Sequence, residues 1–149
     1  MSPRQPALVR RWLEDRNGGA AVEFSLVIMT MFTLLFGVTE FGWYMWTANA
    51  LQQTAIQGAR CMGVLATSCA NGAAYSSTKA LSYVQAVAST YGVTVPSAGV
   101  TLSTSATCGG ATGFSSVTIN YTFRTVVPNL ITGLSSVAIA QSACFPNQS

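Results

Sequence analysis

Residues 18–38 read GGAAVEFSLVIMTMFTLLFGV, and the only charged side chain among them is that of Glu23. A helix of about 20 residues crosses the hydrocarbon layer of a membrane, and residues 20–41 have that length. A buried helix of a soluble protein is the alternative, but nothing else in the chain is apolar enough to surround it. The apolar run is also longer than the roughly 7–15 residues of a secretory signal peptide. The sequence therefore predicts a membrane helix that remains as an anchor.

The flanks of this segment predict its orientation. Four arginines but only two acidic residues precede Gly18, and an excess of Lys and Arg marks the cytoplasmic side of a membrane helix. Residues 42–46 read GWYMW, and Trp and Tyr side chains collect at the membrane–water interface. We therefore expect a short cytoplasmic N-terminus, with the remainder of the chain outside the cytoplasm.

Charged side chains are scarce in the predicted exported part. Only 7% of all residues are charged, histidine is absent, and no acidic side chain follows Glu40. Catalytic acids and bases are usually His or carboxylate groups, and magnesium, calcium and catalytic zinc take the same groups as ligands. Arg60, Lys79 and Arg124 are too scattered to form a patch that binds nucleic acid. We therefore predict a structural protein that is not an enzyme and has no metal, cofactor or nucleic-acid partner.

The start of the apolar segment carries a recognisable motif. Residues 16–24 read RNGGAAVEF and resemble the processing motif of type IV prepilins. In that superfamily a membrane peptidase cuts after a glycine, and glutamate is the fifth residue of the mature chain. Counting from Gly19 makes Glu23 the fifth residue and Phe24 the sixth, where tight-adherence prepilins carry an aromatic. The resemblance implies cleavage between Gly18 and Gly19 and a role for Glu23 and Phe24 in assembly.

Three further motifs follow in order, GVTEFG at residues 37–42, NAL at 49–51 and GAR at 58–60. With the processing motif, they make residues 16–60 resemble the TadE-like family of minor pilins, or pseudopilins, of the tight-adherence (Flp, type IVc) pilus. The partners that this resemblance implies are a prepilin peptidase, other pilins, the inner-membrane pilus assembly platform and membrane lipid.

The same resemblance implies a division of the chain into three parts. Residues 1–18 would form a cytoplasmic leader, residues 19–46 a transmembrane and assembly helix, and residues 47–149 an extracytoplasmic domain. The implied location is the bacterial inner membrane, with incorporation into a pilus as a further expectation.

The exported region shows both helical and strand periodicity. Residues 47–65 continue the helix with an apolar stripe of Ala48, Leu51, Ala55, Ala59 and Met62. A second helix is predicted over residues 78–91, with Ser76 or Ser77 as its cap and Gly92 at its end. Its expected apolar face comprises Leu81, Val84, Val87 or Ala88, and Tyr91.

Alternating residues then predict a small sheet. The clearest strand is residues 117–124, and weaker candidates are residues 100–105 and 136–144. The glycine-rich stretch at residues 109–113 predicts a hairpin turn between the first two strands. The expected fold is α+β and pilin-like, with a long N-terminal helix, a second helix and a three-stranded antiparallel sheet.

All four cysteines, Cys61, Cys69, Cys108 and Cys144, follow the membrane segment. They lack the paired spacing of zinc ribbons, and disulfides are favoured over metal binding or free thiols in an exported chain. Three pairings are possible. We favour Cys61–Cys69, which closes the turn after the helix, and Cys108–Cys144, which ties two strand ends.

Two functions of different classes remain open at this point. The first is a minor pilin, and the second is an uncleaved, membrane-anchored module for binding or adhesion. An exported enzyme is a third class, but the chain has no histidine and Lys79 is its only lysine. Removal or retention of residues 1–18 separates the first two.

Overall fold

The computed structural model describes residues 18–125 and 136–148. The chain divides into two compact units, Met1–Thr39 and Glu40–Ser149, and helix α1 contributes residues to both. The elements are α1 (Gly19–Gly63), β1 (Ala70–Asn71), β2 (Ala74–Tyr75), α2 (Ser77–Thr90), a 3₁₀ turn (Ser97–Gly99), β3 (Val100–Cys108), β4 (Ala111–Arg124) and β5 (Ser136–Pro146). The predicted α+β fold with a three-stranded antiparallel sheet is confirmed.

Small side chains line the face of α1 that packs inside the second unit. A Cβ atom built on Gly58 would lie 2.7 Å from Val84 Cγ2 and 3.2 Å from Val117 Cγ2. Glycine is therefore needed where α1 meets α2 and the sheet. The buried residues of α1 recur at three- and four-residue steps: Thr47, Ala50, Leu51, Thr54, Ala55, Gly58, Ala59, Cys61, Met62 and Gly63.

Helix α2 buries a narrower face than the sequence predicts. Its buried residues are Ala80, Val84 and Ala88, whereas Leu81 and Val87 are only partly buried. Val84 and Ala88 of the predicted face are confirmed as buried. The prediction missed Ala80, because alanine lacks the size that marks an apolar stripe in a sequence.

Both ends of α2 lie close to their predicted positions. Ser76 holds the N-cap position but makes no side-chain capping bond. At the other end, the amide of Val93 donates to the carbonyl of Ala88 and the amide of Gly92 to that of Ser89. Gly92 has φ +78°, as a Schellman C-terminus requires, so the helix ends where the glycine predicts.

The main sheet has the order β3-β4-β5, and both pairings are antiparallel. Val117, Ile119 and Phe123 alternate with more exposed residues of β4, and Ile139 of β5 joins them in the core. The β4–β5 register is continuous, whereas the β3–β4 register shifts twice. The predicted alternation of β4 is confirmed.

Asn147, the residue that follows β5, bonds to the backbone at the first of these shifts, between Ser103 and Ala106. Asn147 Nδ2 donates to the carbonyl of Thr104 at 2.8 Å, and Asn147 Oδ1 accepts from Ser115 Oγ at 2.6 Å. The Asn147 amide also donates to the carbonyl of Gly113 at 3.0 Å. One asparagine therefore joins all three strands at the irregular end of the sheet.

The turn between β3 and β4 is tighter than the glycine-rich stretch predicts. Gly109 and Gly110 form it, with φ values of +61° and +85°. Gly113, expected in the turn, lies inside β4 at φ +86°. It stands beside the second register shift, between Ala106 and Cys108, and a positive φ at a β-bulge favours glycine.

We expect the thermal stability of the second unit to fall at alkaline pH, because burial favours the neutral form of one tyrosine, Tyr75. Burial raises the pKa of the Tyr75 phenol above its ordinary value of 10.0. The neutral phenol therefore stabilises the fold fully below pH 10.0, and this contribution is lost as the pH rises through the folded-state pKa. Circular dichroism melting should show a plateau followed by an alkaline decline, and Tyr75→Phe should make that decline shallower. A melting temperature that falls steeply between pH 6 and 9 would contradict this.

Candidate functional site

The predicted processing site lies at the first turn of α1. Gly18 forms a turn, α1 begins at Gly19, and the amide of Val22 donates to the carbonyl of Gly18 at 3.1 Å. A Cβ atom built on either glycine would have no atom within 4 Å. No described residue therefore crowds the peptide bond between the two glycines.

Glu23 and Phe24 follow on the exposed surface of the same helix. Phe24 is 64% exposed, and Glu23 is also exposed. Glu23 stands four residues after Gly19, so the two positions share one face of α1. The structure thus places the predicted assembly residues together at the start of the helix and available to a neighbouring molecule.

The helix that carries this site has a surface suited to lipid. It is the one helix among the described residues that is long and apolar enough to cross a membrane. Its most apolar 18-residue window has a mean hydropathy of 2.0 and is 0% buried. A core helix of a soluble protein would be mostly buried, so this finding fits a single-pass membrane anchor.

The hydroxyl groups within this segment bond to their own helix. Each donates to a backbone carbonyl four residues earlier: Ser25, Thr30, Thr33 and Thr39. Polar groups must be satisfied internally where no water is present. The four hydroxyls therefore impose little penalty on burial of this segment in lipid.

The aromatic side chains that follow are divided between two roles. Trp43 and Trp46 are 64% and 61% exposed, as a membrane-interface belt requires. Tyr44 instead packs edge-on against Phe123, with ring centroids 5.7 Å apart. Two exposed aromatics therefore remain for the expected belt, and Tyr44 packs against the core of the second unit.

Two disulfides secure the second unit, and they have the pairing that the sequence favours. Cys61–Cys69 has a Cα–Cα distance of 5.9 Å and is buried beside the end of α1. Cys108–Cys144 joins the two outer strands of the sheet, with a Cα–Cα distance of 6.5 Å. No group of three metal-binding side chains occurs in the described ranges.

Non-reducing peptide mapping should recover Cys61 linked to Cys69 and Cys108 linked to Cys144, with no free thiol. Because Cys61 and Cys69 are buried while Cys144 is exposed, mild thiol treatment should open Cys108–Cys144 first. Differential alkylation measures the order of reduction. Four freely alkylated thiols in the untreated protein would refute the exported location, whereas a crossed pairing would refute only the topology.

Comparison with known families identifies the region around this site. Residues 18–60 match the family model described as TadE-like protein. No curated protein and no solved structure matches the chain. The match starts at the glycine that precedes α1 and covers nearly all of that helix. Residues 18–60 are therefore TadE-like, as their ordered motifs predict.

Proposed function

We propose that this chain is a minor pilin, or pseudopilin, of a tight-adherence pilus. In this proposal it is anchored in the bacterial inner membrane and is processed by a prepilin peptidase. It then joins other pilins through the apolar half of α1, with the assembly platform of the inner membrane as a further partner. The observation that carries the proposal is the exposed Gly18–Gly19 junction directly before a TadE-like membrane helix.

The charges that cleavage would leave at this junction support a role for Glu23 in assembly. Cleavage after Gly18 leaves a new ammonium group on the first residue of α1. That cation sits at the positive end of the helix macrodipole, where a positive charge is unfavourable. The carboxylate of Glu23, from the same or a neighbouring chain, offsets the cation in a medium that solvates neither.

The surface of α1 supports assembly through the membrane helix. Large apolar side chains are exposed from Val22 to Val38, so lipid or the equivalent helix of another pilin can cover them equally well. Loss of the leader also removes four arginines and two acids. The mature subunit can then leave the bilayer without drawing that charged tail through it.

The direct test is the N-terminus of the native protein. Intact-mass measurement or N-terminal sequencing should give a mature chain that starts at Gly19. A chain that starts at Met1 or Ser2 would overturn the proposal and support the uncleaved, anchored binding or adhesion module.

We expect Glu23→Ala to preserve export and membrane retention but to impair co-purification with partner pilins. The substitution makes the helix more apolar, yet leaves the ammonium of Gly19 without its carboxylate. Glu23→Gln should fail in the same way, because it keeps the shape and removes the charge. Quantitative pull-down measures the loss.

Ser25→Ala is the matched control for this experiment. Its hydroxyl bonds to the carbonyls of Ala21 and Val22 within α1, so its removal should leave assembly unchanged. Normal pilus number and normal co-purification in Glu23→Ala would exclude the assembly role of this carboxylate.

A further inference from the structure

The β1–β2 ribbon, which the sequence does not predict, carries the dipeptide Asn71–Gly72 at its turn. In this ribbon, Ala70 pairs with Tyr75 and Asn71 with Ala74, so Gly72 and Ala73 form a two-residue turn. Gly72 has φ +65°, which matches the first turn position of a type II′ hairpin. Asn71 therefore ends β1 and stands immediately before the turn.

Both reacting groups at this turn are accessible. Asn71 and Gly72 are exposed, and a Cβ atom built on Gly72 would have no neighbour within 4 Å. Among the described residues, none accepts a hydrogen bond from the Gly72 amide or bonds to the Asn71 side chain. No hydrogen bond and no side chain at position 72 therefore covers the Gly72 amide nitrogen.

We propose that Asn71–Gly72 is a site of spontaneous deamidation in the folded protein. The deprotonated amide nitrogen of Gly72 attacks Cγ of Asn71, so a new N–Cγ bond closes a five-membered succinimide. The Cγ–Nδ2 bond breaks, and the nitrogen leaves as ammonia after taking up a proton. Water then attacks one of the two carbonyl carbons of the ring and breaks the bond from that carbon to nitrogen. Attack at Cγ leaves an aspartyl residue at position 71, and attack at the backbone carbonyl carbon leaves an isoaspartyl residue. No oxidant or reductant takes part.

The other asparagines of the described region are held differently. Asn49 lies within α1, where its Nδ2 donates to the carbonyl of Met45. Asn120 precedes Tyr121, whose bulky side chain hinders attack by the following amide nitrogen, whereas Gly72 has no side chain. Both polar atoms of the Asn147 side chain are hydrogen-bonded. These three residues provide internal controls with the same chemistry and restricted geometry.

Deamidation here would change the charge of the second unit. The new carboxylate would be the only acidic side chain after Glu40. It would form next to the carbonyl of Ala70, which accepts a hydrogen bond from Lys79 Nζ at 2.9 Å. A cation therefore lies beside the residue that precedes the new carboxylate. The ribbon remains fixed at its base, because the Ser76 amide donates to the carbonyl of Cys69.

The full chain in detergent provides the test, with incubation at mildly alkaline pH followed by peptide mapping. We expect progressive loss of the Asn71 peptide and gain of its aspartyl and isoaspartyl forms, while Asn49, Asn120 and Asn147 stay intact. Isoelectric focusing should show an acidic shift of one charge from this site. Asn17 also precedes a glycine, so the assignment depends on the peptide that contains Asn71.

Two comparisons make the result decisive. Asn71→Gln should abolish modification at position 71, because cyclisation through a longer side chain is much slower. The same chain unfolded in urea should convert Asn71 at a rate similar to that of the folded chain. If Asn71 converts only after unfolding, the turn protects it and the proposal is wrong. Conversion of Asn49, Asn120 and Asn147 at the same rate would equally overturn it.

Discussion

Gly18→Phe is expected to block processing and to leave the full-length precursor in the membrane. A prepilin peptidase must bind the backbone at the cut, and a glycine there leaves φ unrestricted and offers no side chain to exclude. The substitution should not disturb the protein itself, because a Cβ atom at position 18 meets nothing within 4 Å. Intact-mass measurement of membrane fractions, or a shift on immunoblots, reports the result.

Gly19→Ala is the matched control, because position 19 is equally open and alanine is a good residue for the first turn of a helix. Its mature chain should appear normally and begin at Ala in place of Gly19. The opposite pattern, with Gly18→Phe cleaved and Gly19→Ala blocked, would move the cut by one bond and make Glu23 the fourth residue. Retention of residues 1–18 in the wild type would exclude processing altogether.

The parts of the fold with strong periodicity could be predicted from the sequence. The alternation of Val117, Ile119 and Phe123 predicts β4 because one side of the strand faces the core. Gly92 predicts the end of α2, since few other residues adopt a positive φ without strain. These signals are local, so they do not depend on which elements pack together.

Features that arise from packing could not be predicted in this way. The β1–β2 ribbon is too short for any period, although Asn71–Gly72 is a recognised turn signal. Gly113 reads as part of the turn because three glycines lie close together, and only strand pairing reveals its place in a bulge. Tyr44 reads as an interface aromatic, and its contact with Phe123 depends on a strand far along the chain.

Motif spacing could locate the candidate site but not describe its surroundings. The count from Gly19 to Glu23 singles out the processing junction, yet it says nothing about the space around Gly18. It also says nothing about why Gly58, in the GAR motif, must be glycine. The structure gives a packing reason at that position, since Val84 and Val117 occupy the space of a side chain.

Gly58→Leu should therefore destabilise the second unit by about 3 kcal/mol or more, at the upper end of the usual cost of overpacking. The obstructing atoms belong to valines, whose χ1 angles have little freedom to move aside. Gly42→Leu is the matched control, because Gly42 also lies in α1 and has no atom within 4 Å of an added Cβ. Urea unfolding in detergent, followed by near-UV circular dichroism, measures the difference. Equal stability of the two variants would show that α1 does not approach α2 and β4 as described.

A double-mutant cycle with smaller substitutions identifies the contact responsible. Gly58→Ala places one methyl group 2.7 Å from Val84 Cγ2, and Val84→Ala removes that obstructing atom. The combined variant should be more stable than the sum of the two single effects predicts, by about 1 kcal/mol, which is typical of residues in direct contact. The added methyl then fills part of the cavity that Val84→Ala creates, and alanine also favours the helix over glycine by about 1 kcal/mol. Strict additivity of the two substitutions would mean that Val84 is not the residue that requires glycine at position 58.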